Sequence, residues 1–370
     1  LGPDARHLPA RARRRAPALR HRQGPGQLQP ALGRLPRMGG HREGRLGRAG
    51  PEVPNPVHDR AAGLEPRRQP RYIRNHQGAL AGAAEPGGRV EAADIVVIGG
   101  GSGGSAVAGR LSEGGRYSVA VLEAGGRNTG IKTRMPGMLP FQGPATNWAF
   151  ETVPQRGLNG RRGYQPRGKG LGGSSAINAM LYVRGHARDY DEWRDLGCLG
   201  WGWDEMLPWF RRSELNVRGA DAYHGDSGPL WVSDQLYAHG GSEAFIEAAG
   251  ALQIPRNDDF NGAHQSGAGL YQVTQRKGER WTAARAYLER RESLEIITEA
   301  SVERVLFEDG RVWGVAYQRD GVAREIRARR AVVLAAGAFQ TPQLLMLSGI
   351  GPGEHLREMG LSVRIDRPAV

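Results

Sequence analysis

The sequence predicts an α/β fold built on a parallel sheet, and three observations carry that prediction. A β-branched run, Asp94-Ile95-Val96-Val97-Ile98, leads directly into the glycine-rich stretch Gly99–Gly104. A second β-type run, Ser118–Leu122, follows a segment that reads as a helix over Ala106–Leu111. A third, Ala331-Val332-Val333-Leu334-Ala335-Ala336-Gly337, lies far along the chain and ends in small residues. Strands covered on both faces read as continuous apolar runs of this kind.

Residues 1–90 stand apart from this pattern. They hold 18 Arg, no Lys and six acidic residues, so +12 of the chain's net +13 sits there, together with 12 of the 23 prolines. They also lack Ser and Thr and sustain no helical or alternating apolar period. Such a segment buries too little apolar surface to form a core, and a disordered Arg/Pro/Gly-rich stretch is expected over residues 1–92. Three origins compete: a basic arm for an anionic partner, a targeting peptide, or residues that are not native protein sequence. The lack of Ser argues against a mitochondrial transit peptide. The Arg/Pro/Gly/Ala excess without Lys, in a chain opening on Leu1, favours the third.

Residues 91–370 carry only +1, so the charge that suggests nucleic acid or an anionic membrane belongs to the front of the chain. No nucleic-acid partner is expected for the main body. No apolar run reaches the roughly 18–20 residues needed to cross a bilayer. With a single cysteine, Cys198, an internal disulfide and a cysteine-rich metal site are excluded. A cytoplasmic chain without a metal site is expected, with peripheral contact at the inner membrane left open. Cys198 reads as a small packing residue, and His186 and His224 as loop or surface residues.

Within the first glycine stretch, Gly99, Gly101 and Gly104 supply G-x-G-x-x-G, with Ser102 between them. The pattern suits a tight turn, close backbone approach to a pyrophosphate and close helix-to-strand packing, with phosphate at the helix N-terminus. Glu123 ends the second strand, where an acidic side chain accepts a ribose hydroxyl. An acid there favours an unphosphorylated ribose, which leaves NAD and FAD.

Two longer stretches separate those alternatives. The first is Gly168-Lys169-Gly170-Leu171-Gly172-Gly173-Ser174-Ser175-Ala176-Ile177-Asn178, continuing through Tyr182, Gly185 and Asp191. The second runs from Gly337-Ala338-Phe339-Gln340-Thr341-Pro342 through Leu347-Ser348-Gly349-Ile350-Gly351-Pro352. Together they resemble the two signatures of the glucose-methanol-choline (GMC) oxidoreductases. Shorter features, Thr146-Asn147-Trp148, Trp201-Gly202-Trp203, Asp259-Phe260-Asn261-Gly262 and Arg280-Trp281 among them, look familial too. The resemblance spans residues 93–370, with a choline-dehydrogenase-like or alcohol-dehydrogenase-like flavour.

The resemblance implies an α/β, Rossmann-like FAD-binding domain (FAD/NAD(P)-binding fold) with a discontinuous, incomplete α+β substrate domain, whose portion here covers about 192–292. Consecutive glycines before Ser174 and Ser175 offer backbone N–H groups and hydroxyls that approach a diphosphate or an isoalloxazine edge without obstruction. The implied cofactor contacts are Gly99, Gly101, Ser102, Gly104, Glu123, Gly170, Gly173, Ser174, Asn178, Val302 and Gly337, with Asn147 and Trp148 in a segment covering the flavin. Some members bind flavin covalently through a histidine where this chain has Ile177, so non-covalent FAD is expected.

Between the signatures, Phe245, Ala249 and Leu252 fall at i, i+4 and i+7 and predict a core-facing helix stripe. The runs Glu295–Thr298, Ser301–Phe307 and Arg311–Tyr317, with Asp309-Gly310 and Asp320-Gly321 as turn signals, predict a meander, a further weak run and then the return strand at Ala331. The family normally continues past Val370 to a segment bearing a catalytic His paired with His or Asn. No residue here matches that base, so no catalytic residue is assigned, and the polypeptide as written is expected to be inactive or unstable. The implied reaction is oxidation of a primary alcohol, aliphatic or choline, to an aldehyde by hydride transfer to flavin. The implied partners are a small-molecule alcohol and, as electron acceptor, a quinone or respiratory-chain component. The alternatives are a non-enzymatic binder of anionic surfaces or nucleic acid through residues 1–90, and an NAD-linked single-Rossmann dehydrogenase.

Overall fold

The β-branched runs pair side by side in a computed structural model, which describes residues 91–288 and 292–370. The expectations for residues 1–90 lie outside the described residues. Six strands form the main sheet: β1 (Glu91–Ile98), β2 (Val119–Leu122), β3 (Leu294–Ile297), β4 (Ser301–Glu308), β5 (Arg311–Arg319) and β6 (Val322–Leu334). Their order is β4-β5-β6-β1-β2-β3. Strands β6, β1, β2 and β3 run parallel, while β4, β5 and β6 form the antiparallel meander. Helices α1 (Ser102–Ser112), α2 (Ala187–Asp195), α3 (Trp203–Ser213), α4 (Gly240–Ala251), α5 (Ala283–Tyr287) and α6 (Gly337–Leu347) complete the elements used below. This is the α/β, Rossmann-like arrangement that the glycine turn predicts.

Period-2 alternation splits the residues of β1 between two cores. Val96 and Ile98 pack with Ala120, Leu122, Ile297, Val315, Ile326 and Leu344 on one side. Ile95 and Val97 pack with Ala108, Val119, Val121 and Leu294 on the other. Both faces of the central strand are therefore dry, which is why its sequence is apolar throughout.

The predicted weak run after Gly321 and the predicted return strand at Ala331 are one strand. Over its first half β6 pairs antiparallel with β5, from Val322↔Arg319 to Arg327↔Gly314. Over its second half it runs parallel to β1, from Glu91↔Ile326 to Ile98↔Leu334. The charged first half hid this continuity: around Ile326 and Ala328, which are buried, stand exposed Arg324, Glu325, Arg327 and Arg329. The two Asp-Gly turns form as predicted, with left-handed backbone at Asp309 (φ 48°) and Gly310 (75°), and at Asp320 (54°) and Gly321 (74°).

Other boundaries shift for packing reasons. Strand β1 begins at Glu91 rather than Asp94. Helix α1 begins at Ser102 rather than Ala106, because its glycines serve contact rather than turning. A Cβ on Gly109 would stand 2.5 Å from the Tyr287 carbonyl oxygen of α5. The stripe predicted over Phe245–Leu252 is core only at Ala249: Phe245 and Leu252 are 71% and 76% exposed, while Ile246 is buried beside Ala249. Phe245 and Ile246 are separated by about 100° of helix turn, and the neighbouring segments cover the face that Ile246 occupies. Cys198 is exposed, not a packing residue.

His186 caps α2 from the surface and forms a reciprocal capping box with Asp189. His224, by contrast, is only 5% exposed and corrects the surface expectation. Its Nδ1 lies 3.1 Å from Glu214 Oε1 and its Nε2 lies 3.0 Å from Asp259 Oδ2. Arg184 Nη2 donates to the same Glu214 oxygen at 2.8 Å, and the Gly225 amide does so at 2.9 Å. A buried charged cluster thus ties three distant pieces of the middle segment together.

Hydrogen bonding to Glu214 lifts the His224 pKa above its usual value, against the opposing effect of burial and with further help from Asp259. Burial pushes Glu214 upward, but His224, Arg184 and the Gly225 amide outweigh it and hold the carboxyl below its usual value. Because the folded pKa of His224 is raised, its stabilisation is complete below about pH 6.5 and is lost as pH rises through the folded value. Glu214 contributes above its unfolded pKa, and that contribution is lost as pH falls through the depressed folded one. The melting temperature is therefore expected to decline as pH rises from 6 toward 9, and His224→Gln to flatten that limb. An identical alkaline slope in the variant would remove His224 from the account.

Candidate functional site

A cavity of about 680 Å³ opens at the carboxyl ends of β1, β2 and β6. Ligands of open α/β sheets bind in such crevices, and the volume is in the range of cofactor pockets. Its floor is Gly99, Gly101, Ser102 and Gly103 from the turn after β1; Glu123 and Ala124 close one side, and Ala300–Val302 at the start of β4 another. The residues from Ala335 to Leu344, at the end of β6 and along α6, form the third.

Glu123 is the organising group. Its side chain is 6% exposed overall as a residue, and its two oxygens accept three backbone amides. Oε2 takes Gly100 N at 2.8 Å. Oε1 takes Gly125 N and Gly170 N, each at 2.9 Å. One carboxylate therefore joins the turn after β1, its own turn and the start of the second glycine loop. The two glycine loops also bond directly, Gly172 N to Gly100 O at 2.8 Å. A carboxylate offers about four acceptor sites, so one on Oε2 remains for a ligand hydroxyl. Glu123 is a brace before it is a ligand contact.

The close approaches explain the glycines in physical terms. A Cβ on Gly104 would fall 1.8 Å from Gly99 O, and one on Gly173 would fall 2.8 Å from Gly101 Cα. Helix α1 begins at the cavity with Gly101 as N-cap and no side-chain capping bond. Its first-turn amides carry the positive end of the helix dipole and suit an anionic group.

The outer wall is aromatic. Trp148 and Phe150 stack with ring centroids 5.9 Å apart and planes 3° from parallel. Phe339 meets Phe150 edge-on at 5.9 Å. The Arg167 guanidinium lies 4.3 Å from the Phe339 ring centroid, and the Lys169 ammonium 4.8 Å from that of Trp148. Asn147 holds this wall in place. It is 3% exposed, accepts the Ala149 and Arg167 amides at 3.0 Å each, and donates to the Tyr164 hydroxyl at 2.6 Å.

Of the residues singled out from the sequence, the cavity brings together Gly99, Gly101, Ser102, Glu123, Trp148, Gly173, Ser174, Val302 and Gly337. Four others stand behind it: Gly104 as a packing glycine, Asn147 as a turn brace, Gly170 as a donor to Glu123, and Asn178 exposed at the far end of its loop. Phe150, Arg167 and Gln343 line the cavity without having been assigned. Phe150 and Arg167 arrive through the two-residue ribbon Phe150–Glu151/Tyr164–Gln165, too short to leave a sequence signal. Phe339 and Gln343 sit inside the second signature. Glu123 and Arg167 are the titratable lining residues, and no group of metal-ligating side chains occurs among the described residues. The cavity is equipped to bind an anionic, aromatic molecule.

Glu123→Gln tests the brace. An amide has to turn its NH₂ toward Gly100 N–H or toward the Gly125/Gly170 pair, donor against donor. A loss of about 1–3 kcal/mol is expected, measured as a fall of several degrees in melting temperature. A Gln variant that melts with the parent would show that the loops hold without the carboxylate.

The comparisons with known proteins agree with this geometry. The family model described as GMC oxidoreductase matches residues 93–366. An oxygen-dependent choline dehydrogenase of Rhizobium johnstonii is 44% identical over 283 residues, which are 75% of this chain and 51% of the relative. An alcohol dehydrogenase [acceptor] of Pseudomonas putida is 45% identical over 285 residues, covering 75% and 52%. The chain thus spans about half the length of these curated relatives. Among solved structures, a pyridoxine 4-oxidase from Mesorbium loti superposes with a TM-score of 0.72 at 38% identity, covering 75% of this chain and 56% of that one. A formate oxidase from Aspergillus oryzae reaches 0.70 at 28%, covering 76% and 51%. As its two signature-like stretches, Gly168–Asn178 and Gly337–Pro352, imply, the chain belongs to the GMC oxidoreductase family.

Proposed function

We propose that this chain forms the FAD-binding part of an oxidoreductase acting on CH–OH groups, one that converts a primary alcohol, choline or an aliphatic alcohol, to its aldehyde. The observation that carries this reading is the cavity in which two interlocked glycine loops, joined through Glu123, meet an uncapped helix N-terminus under an aromatic wall. These residues fit FAD. Ser102, Gly103 and the first-turn amides of α1 suit its diphosphate, the free acceptor site of Glu123 suits a ribose hydroxyl, and Ala300–Val302 are placed for the adenine. Gly173, Ser174 and Trp148 lead toward the flavin end. When bound, FAD supplies a ring that accepts the hydride leaving the alcohol carbon while the hydroxyl proton passes to a base.

This chain's own residues bind and orient. Its lining contains neither His, Cys nor Tyr, and Ile177 is buried beside the loop, which supports a non-covalent cofactor. The names of the relatives support the alcohol substrate. For the electron acceptor, a quinone or respiratory-chain component accords with the acceptor named only generically for the Pseudomonas relative, whereas the Rhizobium relative's name points to oxygen. No helix among the described residues is long and apolar enough to cross a membrane. The same reading places the protein in the cytoplasm, with quinone reduction at a membrane surface.

A second reading rests on the +12 charge of residues 1–90: a binder of anionic surfaces or nucleic acid. Deleting that segment would abolish such binding and leave FAD uptake intact.

The test is the visible absorption spectrum of the purified chain after mixing with FAD and gel filtration, followed by acid denaturation. Yellow colour that travels with the protein and is released to the supernatant on denaturation is expected. Folded protein that emerges colourless would overturn the reading, and flavin that stays with the precipitate would overturn its non-covalent part.

A further inference from the structure

The connection from β2 to Trp148 carries apolar side chains into water. Ile131 and Phe141 are 63% and 61% exposed, and Met135 and Leu139 between them are exposed as well. The segment is held by its own bonds: Gln142 Nε2 donates to Lys132 O at 2.8 Å and to Met138 O at 2.9 Å, and Thr133 Oγ1 donates to Asn128 O at 2.7 Å. Arg134 pairs with Glu279, which joins the segment to the hairpin Gln275–Arg276/Glu279–Arg280. At the tip of that hairpin Leu236 Cδ1 lies 3.6 Å from where a Cβ on Gly278 would stand, and Leu236 and Tyr237 are 78% and 74% exposed. Two apolar projections from distant parts of the chain therefore meet at one hairpin. Adjoining exposed groups of this kind mark an interaction surface.

The charge around them has one sign. No Asp or Glu occurs from Ala124 to Phe150, a stretch that holds Arg127, Lys132 and Arg134. Glu279 is the one carboxylate from Thr274 to Arg285, and Arg134 and Arg285 take it. Asp234, two residues before Leu236, is held by Arg218. Arg127, Lys132, Arg276 and Lys277 are exposed and form no ion pair among the described residues. The Arg276 guanidinium lies 4.7 Å from the Trp231 ring centroid and 4.9 Å from that of Trp281. Stacking fixes that cation in place and leaves its charge uncompensated. Further protein over this face would have to bury these cations, and the cores of protein interfaces are depleted of charge. An anionic lipid surface suits both features, offering headgroups to the cations and an acyl boundary to the apolar side chains.

We propose that the segment Ile131–Phe141, the hairpin tip at Lys277–Gly278 and the loop at Leu236–Tyr237 form one face that docks on an anionic membrane, with Arg127, Lys132, Arg276 and Lys277 meeting lipid phosphates. The face adjoins the aromatic wall of the cavity, since Thr146 Oγ1 donates to Gln142 Oε1 at 2.8 Å and Asn147 and Trp148 follow directly. Docking brings that wall to the surface where a lipid-soluble acceptor resides; this use, though not the docking itself, rests on the quinone reading given above.

The experiment floats the purified full chain with vesicles of phosphatidylcholine alone or mixed with phosphatidylglycerol, at low and at high salt. Binding to the mixed vesicles that weakens but persists at high salt is expected, because salt screens the cations and leaves apolar insertion intact. Ile131→Ser combined with Phe141→Ser is expected to lower the partition coefficient at least tenfold at high salt. Lys132→Glu combined with Lys277→Glu is expected to lower it at least tenfold at low salt, each cation near an anionic surface being worth about fivefold. Leu236→Ser with Tyr237→Ser decides the matter if the first pair disturbs folding. Residues 1–90 offer a competing cationic contact that none of these substitutions touches, so variants that bind like the parent overturn the proposal whichever segment holds the vesicles. A parent that stays off the mixed vesicles overturns it too, and equal binding to phosphatidylcholine alone overturns the role of the cations. A parent that is dimeric by light scattering and becomes monomeric in the Ile131→Ser/Phe141→Ser variant would assign the face to a second copy instead. Neither flavin nor quinone enters these readings, so their failure is separate from failure of the function proposed above.

Discussion

The site depends on one buried carboxylate meeting three backbone amides. Glu123 leaves the end of β2 and binds Gly100, Gly125 and Gly170, residues on three turns that share no secondary structure. Glycine turns are floppy by composition, since each glycine loses more backbone freedom on folding than any other residue. Charge-assisted bonds to a rigid strand end offset that loss where it is greatest. Loops with larger side chains would not reach the carboxylate: Gly100 and Gly170 each have neighbours within 2.7 Å of where a Cβ would stand. The absence of side chains and the presence of the acid are two halves of one constraint.

The sheet closes the cavity on its far side because β6 serves two partners. Its charged first half belongs to the meander with β5, and its apolar second half runs parallel to β1 and carries the chain to Ala335 and Gly337 at the cavity. A shift of one residue in its pairing would exchange the buried Ile326 and Ala328 for arginines, so the register of the meander and the shape of the cavity are coupled.

Farther out, buried charge does the positioning. In the middle segment Arg184, Glu214, His224 and Asp259 hold together pieces that apolar contacts leave loosely joined, while Phe245 and Leu252 remain exposed. Under the second glycine loop the isolated Arg280 does comparable work with carbonyl oxygens as its partners. In both places removing one member would strand another polar group away from water, a larger effect than the bond itself.

The strand, turn, helix and acid sequence from Asp94 to Glu123 was legible because each depends on local periodicity and on residue types with a single physical use. The two Asp-Gly turns were legible for the same reason. The continuity of β6 was not, because its first half is charged and its pairing partner is decided by the sheet. Nor was the burial of His224, the exposure of Phe245, or the aromatic wall of Trp148, Phe150 and Phe339, whose members come from separate parts of the chain. By itself the sequence determined the fold class, the family and nine of the residues that line the cavity. Only the tertiary structure decided that Glu123 is first a brace, that Asn147 and Asn178 act through hydrogen bonds to neighbours, and that Arg280 lies beneath the loop. The physical reason is that a side chain's role follows from which donors and acceptors reach it in space, and local sequence pattern carries no record of that.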